Sequence, residues 1–204
     1  MTSHRSLATP QGYGAGDPVS GRFRVLALLL TAATLQATLF DEIRFDGVAV
    51  EYLLLVAILA GHHGGPERGA VVAFFAGLLY DSVGVSLLGL HALAFTPVAA
   101  TVGHLSVRLA VGARGLRILG LLVAVMSGVV AAAMIGSIFG LHPISGPALL
   151  RTAFLAAAMT ALVALPTNRI VRWAVTSGLP IELDVGREES LSARRGSTLG
   201  GENR

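Results

Sequence analysis

Cysteine and lysine are both absent from the 204 residues. The first absence excludes a disulfide-stapled scaffold, thiol catalysis and cysteine-ligated zinc. The second excludes a phosphate cradle of the Gly-x-x-x-x-Gly-Lys type. Charge is scarce as well, at 13% of residues against about 25% in a soluble domain. Only Glu67 and Asp81 are acidic between Glu51 and Glu182, too few to hold the divalent cations of a metal-dependent lipid phosphotransferase. No histidine follows His142, so Ser145-Gly146 lacks the later base that an intramembrane serine protease needs. No His-Glu-x-x-His pattern occurs either. Neither catalytic residues, a cofactor nor a metal site is expected, and the chain reads as a binding, scaffolding or transport subunit.

What is present is apolar. The chain is 53% hydrophobic with a mean hydropathy of +0.72, a composition that lipid tolerates and water does not. The pI near 10.2 comes from basic residues that are all arginine, and a formal charge of +3 is too small for dispersed nucleic-acid binding.

The arginines divide the chain into tracts that can be measured against the roughly 20 residues one helix needs to cross a bilayer. Arg24 to Arg44 allows one crossing. Arg44 to Arg68 allows another, whose apolar part, Val48 to Gly61, is short. Arg68 to Arg108 is long enough for two, with a break at Asp81-Ser-Val-Gly-Val-Ser86. Arg117 to Arg151 holds one helix to about Phe139 and then the turn Gly140 to Pro147, and Arg151 to Arg169 holds the last. The prediction is an all-α integral membrane protein with six transmembrane helices in residues 23–177. Residues 1–22 and 178–204, rich in Gly, Pro, Ser or mixed charge, are expected to be mobile tails. A cleavable signal peptide is not expected, since the first apolar run ends in Leu39-Phe40-Asp41 and not in small residues.

Placing the N-terminus inside puts Arg22, Arg24, Arg68, Arg108, Arg114, Arg117, Arg169 and Arg172 on the inner side, and only Arg44 and Arg151 outside. Basic residues resist translocation, so both ends should be cytoplasmic.

Two predicted helices carry small residues at every fourth position: Gly65, Gly69, Ala73 and Gly77, followed by Asp81, in the third, and Gly120, Ala124, Gly128, Ala132, Gly136 and Gly140 in the fifth. Residues four apart share a helix face, so each row is a strip that a neighbouring backbone can approach closely. Three polar residues sit among the apolar ones: Gln36, an interhelical hydrogen-bonding group, and Glu51 and Asp81, placed near the outer interface where helix capping and a partner contact are both open. His62 and His63 fall in a Gly-rich turn. His91 and His104 lie on the fourth predicted helix with no carboxylate nearby in sequence, and all four read as packed or surface histidines.

The stretches Glu51-Tyr-Leu-Leu-Leu55, Gly65 with Gly69, Phe75-Ala-Gly77-Leu-Leu-Tyr-Asp81 and Leu88-Gly89-Leu-His-Ala92-Leu, with Gln36 near the end of the first helix, resemble the rod shape-determining protein MreD family. Val50 stands where that family usually has Pro, and Glu51 where it has Asp. The resemblance implies a non-enzymatic six-helix protein of the bacterial plasma membrane, with a fold similar to the substrate-binding subunits of energy-coupling-factor transporters. It implies that the chain works in cell elongation and peptidoglycan synthesis with MreC, and more widely with MreB, RodZ and the peptidoglycan polymerase and transpeptidase. The residues expected to serve helix packing or partner binding are Gly69, Ala73, Gly77, Asp81, Gly89, Gly120, Gly128 and Gly136. A rival reading is a vitamin-type transport subunit whose pocket would be lined by Gln36, His91, Thr96 and Thr101. A weaker one is a membrane enzyme whose catalytic groups come from a partner.

Overall fold

The computed structural model describes residues 18–84, 86–108, 114–141 and 146–176. Both predicted tails, except for residues 18–22, and residues 142–145 of the predicted Gly140 to Pro147 turn lie outside that set. Five α-helices make up almost all of it: α1 (Pro18–Leu35), α2 (Tyr52–Val83), α3 (Leu90–Arg108), α4 (Arg114–Ile138) and α5 (Gly146–Thr176). α1 begins at Pro18, inside the stretch expected to be tail, and ends in a wider π-helical turn, Gln36–Phe40. Pro at a helix start has no amide to lose and a φ already suited to the helix.

Between α1 and α2 lies a two-stranded antiparallel ribbon, β1 (Arg44–Phe45) and β2 (Val48–Ala49), with Arg44 opposite Ala49 and Phe45 opposite Val48. Its turn is Asp46-Gly47, with φ of 54° and 79°. A two-residue hairpin turn needs both central residues at positive φ, which Asp-Gly supplies at low cost.

The sequence predicts separate second and third helices joined by a turn. The structure instead joins them in α2, interrupted at Gly65 (φ 80°, ψ 178°) and followed at once by Pro66. Glycine alone occupies that backbone region readily, and proline brings no amide for the helix ladder. The chain reverses there without a loop. In a straight helix Glu51 and Tyr80 would stand roughly 43 Å apart, yet the Tyr80 hydroxyl is 3.3 Å from Glu51 Oε1. α2 is therefore a hairpin of two limbs, before and after Gly65.

The first limb is the centre of the molecule. Leu53, Leu54, Leu55, Val56 and Ala57 have no exposed surface, as expected for a helix that is apolar on every side. α5 runs beside it in the same direction, with Thr160 near its start (Glu51 N–H to Thr160 Oγ1, 3.0 Å) and Asn168 near its end (His63 Nε2 to Asn168 Oδ1, 2.6 Å). α3 packs antiparallel to the second limb, Ala92 against Gly77 and Gly103 against Pro66. α4 packs against the first limb at Gly128, which meets Leu54.

Three helical stretches are long and apolar enough to cross a bilayer: Arg22–Phe40, Gly115–Ile138 and Gly146–Thr176. Together with the apolar composition they make this an all-α membrane protein. The polar residues of α2 (His62, His63, Glu67, Arg68) and of α3 (His91, His104) dilute their apolar character.

Candidate functional site

The ribbon end of the bundle collects the polar residues. α2 starts in the interior, where its first amides have no intrahelical acceptor and no water. Gln36, from the π-helical turn, fills that role. Its Oε1 accepts from the amides of Tyr52 (2.7 Å) and Leu53 (3.3 Å), and its Nε2 donates to the Val50 carbonyl (2.9 Å). Phe40 stacks on Tyr52 just beside it, ring centres 4.7 Å apart. Gln36 is thus a buried cap supplied by the preceding helix. Glu51 closes the same start differently: its amide donates to Thr160 of α5, and its carboxylate accepts from Tyr80.

Asp81 does for α3 what Gln36 does for α2. It is buried, and its Oδ2 accepts from the amides of Gly89 (2.8 Å) and His91 (3.1 Å) at the start of α3. Its Oδ1 accepts from Ser86 Oγ (2.7 Å) and from His91 Nδ1 (2.5 Å). Gly89 has φ 95°, a conformation open to glycine, and this aims its amide back at the carboxylate. Four donors on one carboxylate leave it no free hydrogen-bonding capacity for a partner. Asp81 thus closes the start of α3 from within the fold, at the same end of the bundle as the ribbon. Although no carboxylate is near His91 in sequence, the turn between α2 and α3 folds Asp81 onto it, and His91 is a packed, hydrogen-bonded histidine. Tyr80 and Phe95 complete the surroundings of His91, with ring centres 4.2 and 5.4 Å away.

Beside these groups lies a cavity of about 240 Å³ whose polar lining is Glu51, Ser86 and His91, with Phe95, Val129 and Ala132 among its apolar walls. Of the four residues considered for a ligand pocket, His91 alone is in its lining. Gln36 is engaged at both ends of its amide. Thr96 and Thr101 spend their hydroxyls on the Ala92 and Pro97 carbonyls one turn back.

The small-residue strips make their close contacts inside the chain. A Cβ at Gly69 would fall on the Gly61 backbone, and one at Gly77 on the backbone of His91 and Ala92. Ala73 between them is fully buried. These residues let the two limbs of α2 and α3 approach at backbone contact, as small residues do between membrane helices. On α4 the strip divides. Gly128 abuts the Leu54 side chain and Gly136 faces Leu90 and Leu141, whereas Gly120 has nothing within 4 Å. Gly120 sits among exposed Leu116, Leu119 and Val123, so this part of α4 presents an open face.

Charge is arranged unevenly between the two ends. At the ribbon end Arg44 pairs with Asp41, and Arg151, at the start of α5, pairs with Asp46 in the ribbon turn. At the end holding the Gly65 break lie Arg22, Arg24, Arg68, Arg117, Arg169 and Arg172, none of which pairs with a carboxylate among the described residues.

The sequence profile of the family described as rod shape-determining protein MreD matches residues 19–172, a span that takes in all five helices but for the last turn of α5. The chain belongs to the MreD family. Neither a curated protein nor a solved structure matches it. Membership makes it a membrane protein of bacterial cell-shape determination. The two buried caps, Gln36 and Asp81, both fall inside the matched residues.

Thr160, Tyr80 and Ser86 do not stand out in the sequence as site residues, and His91 enters there only as a lining residue of a transport pocket. The signal for Ser86 and His91 was there in the spacing Asp81…Ser86…Gly89-x-His91, a carboxylate followed by a glycine at a helix start. Thr160 had no local signal; it is recognisable only once α5 lies beside α2.

Proposed function

We propose that this chain is a non-enzymatic scaffold subunit of the bacterial cell-elongation complex, holding the transmembrane helix of MreC and, through it, the wider assembly of MreB, RodZ and the peptidoglycan polymerase and transpeptidase. Counting the two limbs of α2 as separate passes, the chain crosses the plasma membrane six times with both termini in the cytoplasm. The distribution of arginines supports this orientation: among the described residues Arg44 and Arg151 lie at the ribbon end, whereas Arg22, Arg24, Arg68, Arg117, Arg169 and Arg172 lie at the other, the end that the positive-inside bias retains.

One observation carries the scaffold reading. The glycines that could receive a partner helix are mostly filled from within, whereas Gly120 on α4 has nothing within 4 Å and is flanked by exposed Leu116 and Val123. A small residue between apolar ridges is where a neighbouring helix approaches closely enough for dispersion to hold it. Gly69, Ala73, Gly77 and Gly128 shape the subunit, Gly89 and Asp81 fix the start of α3, and Gly120 offers the seat. The test is co-purification with MreC from native membranes in mild detergent. Gly120→Leu is expected to lower the recovered MreC while the melting temperature of the subunit stays at the parent value. Full recovery of MreC with Gly120→Leu removes α4 as the seat.

A further inference from the structure

At the end holding the Gly65 break, α5 carries a surface groove of about 640 Å³ lined by Leu165, Pro166, Arg169, Ile170 and Trp173. Arg169 and Trp173 are one helical turn apart and share a face. The Arg24 guanidinium of α1 lies over the Trp173 ring, 4.9 Å from its centre. Arg24 therefore reaches the Trp173 ring from α1, while Arg169 lines the groove beside the same residue. Among the described residues neither touches a carboxylate, and Glu67, the one described acid at this end, pairs with no arginine.

Below the platform the groove continues along strongly exposed Leu165 and Ile170, with Leu162 beyond them. These belong to a helix apolar enough to lie in a bilayer. An indole with arginines above it and aliphatic side chains below is the arrangement found where headgroups meet hydrocarbon.

We infer that this groove is a binding site for one anionic phospholipid. The headgroup phosphate is held by Arg169 and Arg24 beside Trp173, and an acyl chain runs along Leu165, Ile170 and Leu162. An acidic peptide would meet the same two cations but would leave the aliphatic floor facing lipid, which is why the lipid is the better occupant. The lipid would tie α1 to α5 at the end where their polar link is a cation over a ring. The inference needs the chain in a membrane and nothing from MreC, so it stands or falls apart from the scaffold reading.

The test uses the full-length chain, purified in mild detergent after reconstitution into vesicles of equal phosphatidylglycerol and phosphatidylcholine with the same acyl chains. Native mass spectrometry then reads the lipid retained. The parent is expected to keep one phosphatidylglycerol in clear excess over phosphatidylcholine. Arg169→Gln and Arg24→Gln should each cut that excess by roughly fivefold, in line with the attraction of one arginine to an anionic headgroup. Arg151→Gln, at the far end, should leave it unchanged. Leu165→Trp fills the groove and should lower retention of both lipids, with melting temperature confirming that each variant is folded. Equal retention of the two lipids by the parent, or an undiminished excess in the folded Arg24→Gln/Arg169→Gln double variant, overturns the site. So does unaltered retention in Leu165→Trp, or loss of the excess on adding an acidic peptide at equimolar amounts.

Discussion

The side-chain oxygen of Gln36 lies 2.7 Å from the Tyr52 amide, so the buried start of one helix is capped by a residue from the one before it. Replacing Gln36 with Leu would strand the Tyr52 and Leu53 amides and the Val50 carbonyl away from water. A buried group without a partner costs about 1–3 kcal/mol, and the loss should be of that size or somewhat more. Thermal unfolding in detergent is expected to fall clearly for Gln36→Leu and by less for Gln36→Glu, which keeps the acceptor and forfeits the donation to Val50. Equal melting of Gln36→Leu and the parent would show that the cap contributes nothing.

Asp81 and His91 should behave as one unit. Asp81→Ala removes the acceptor of four donors, with an expected loss of about 2–4 kcal/mol from an uncapped helix and stranded donors. His91→Ala removes one of the four and should cost less. In a double-mutant cycle the pair should couple by about 0.5–3 kcal/mol, the range for residues in direct contact. Strict additivity in the unfolding midpoints would mean that the two do not touch in the membrane.

The glycines separate by what surrounds them. At Gly77 an added methyl meets the backbone of α3, which cannot move aside alone, whereas at Gly128 it meets the flexible end of Leu54. Gly77→Ala is expected to destabilise by about 1–3 kcal/mol through overpacking, and Gly128→Ala by less. Leu54→Ala should offset part of the Gly128→Ala loss by making room for the methyl group, so the double variant should be more stable than the sum of the single changes implies. No such offset would place Leu54 elsewhere.

Because cysteine is absent, single cysteines report topology without background. A cysteine at Gly47 in the ribbon turn should react with a membrane-impermeant maleimide on intact cells or spheroplasts. One at Glu67, just past the α2 break, should react only after the membrane is permeabilised. The reverse pattern, or labelling of both from outside, would invert or abolish the six-pass arrangement.

Much of this was readable in advance, for physical reasons. Apolar runs and arginine positions locate the helices because the hydrocarbon core penalises charge, and the break after Asp81 falls where α2 ends. The Asp46-Gly47 turn carries a hairpin signal in the sequence itself, since Asp-Gly readily takes two positive φ angles in succession. The glycine strips were recognised as contact surfaces, but sequence gives a strip no partner. Gly69 meets Gly61 because Gly65 reverses the chain, and spacing alone does not reveal a reversal made by one residue. The burial of Asp81 is hidden for a similar reason: it follows from the donors at Gly89 and His91 that fold onto it, and these become visible only when α3 turns back.

The two caps point the same way along the chain. Gln36 serves a helix that begins at Tyr52, and Asp81 one that begins at Leu90. On emerging from the ribosome, each of these two helices therefore finds the acceptor for its first amides already delivered by an earlier segment. Synthesis from the N-terminus can lock the subunit together in stages, with Thr160 arriving last to close the start of the central limb.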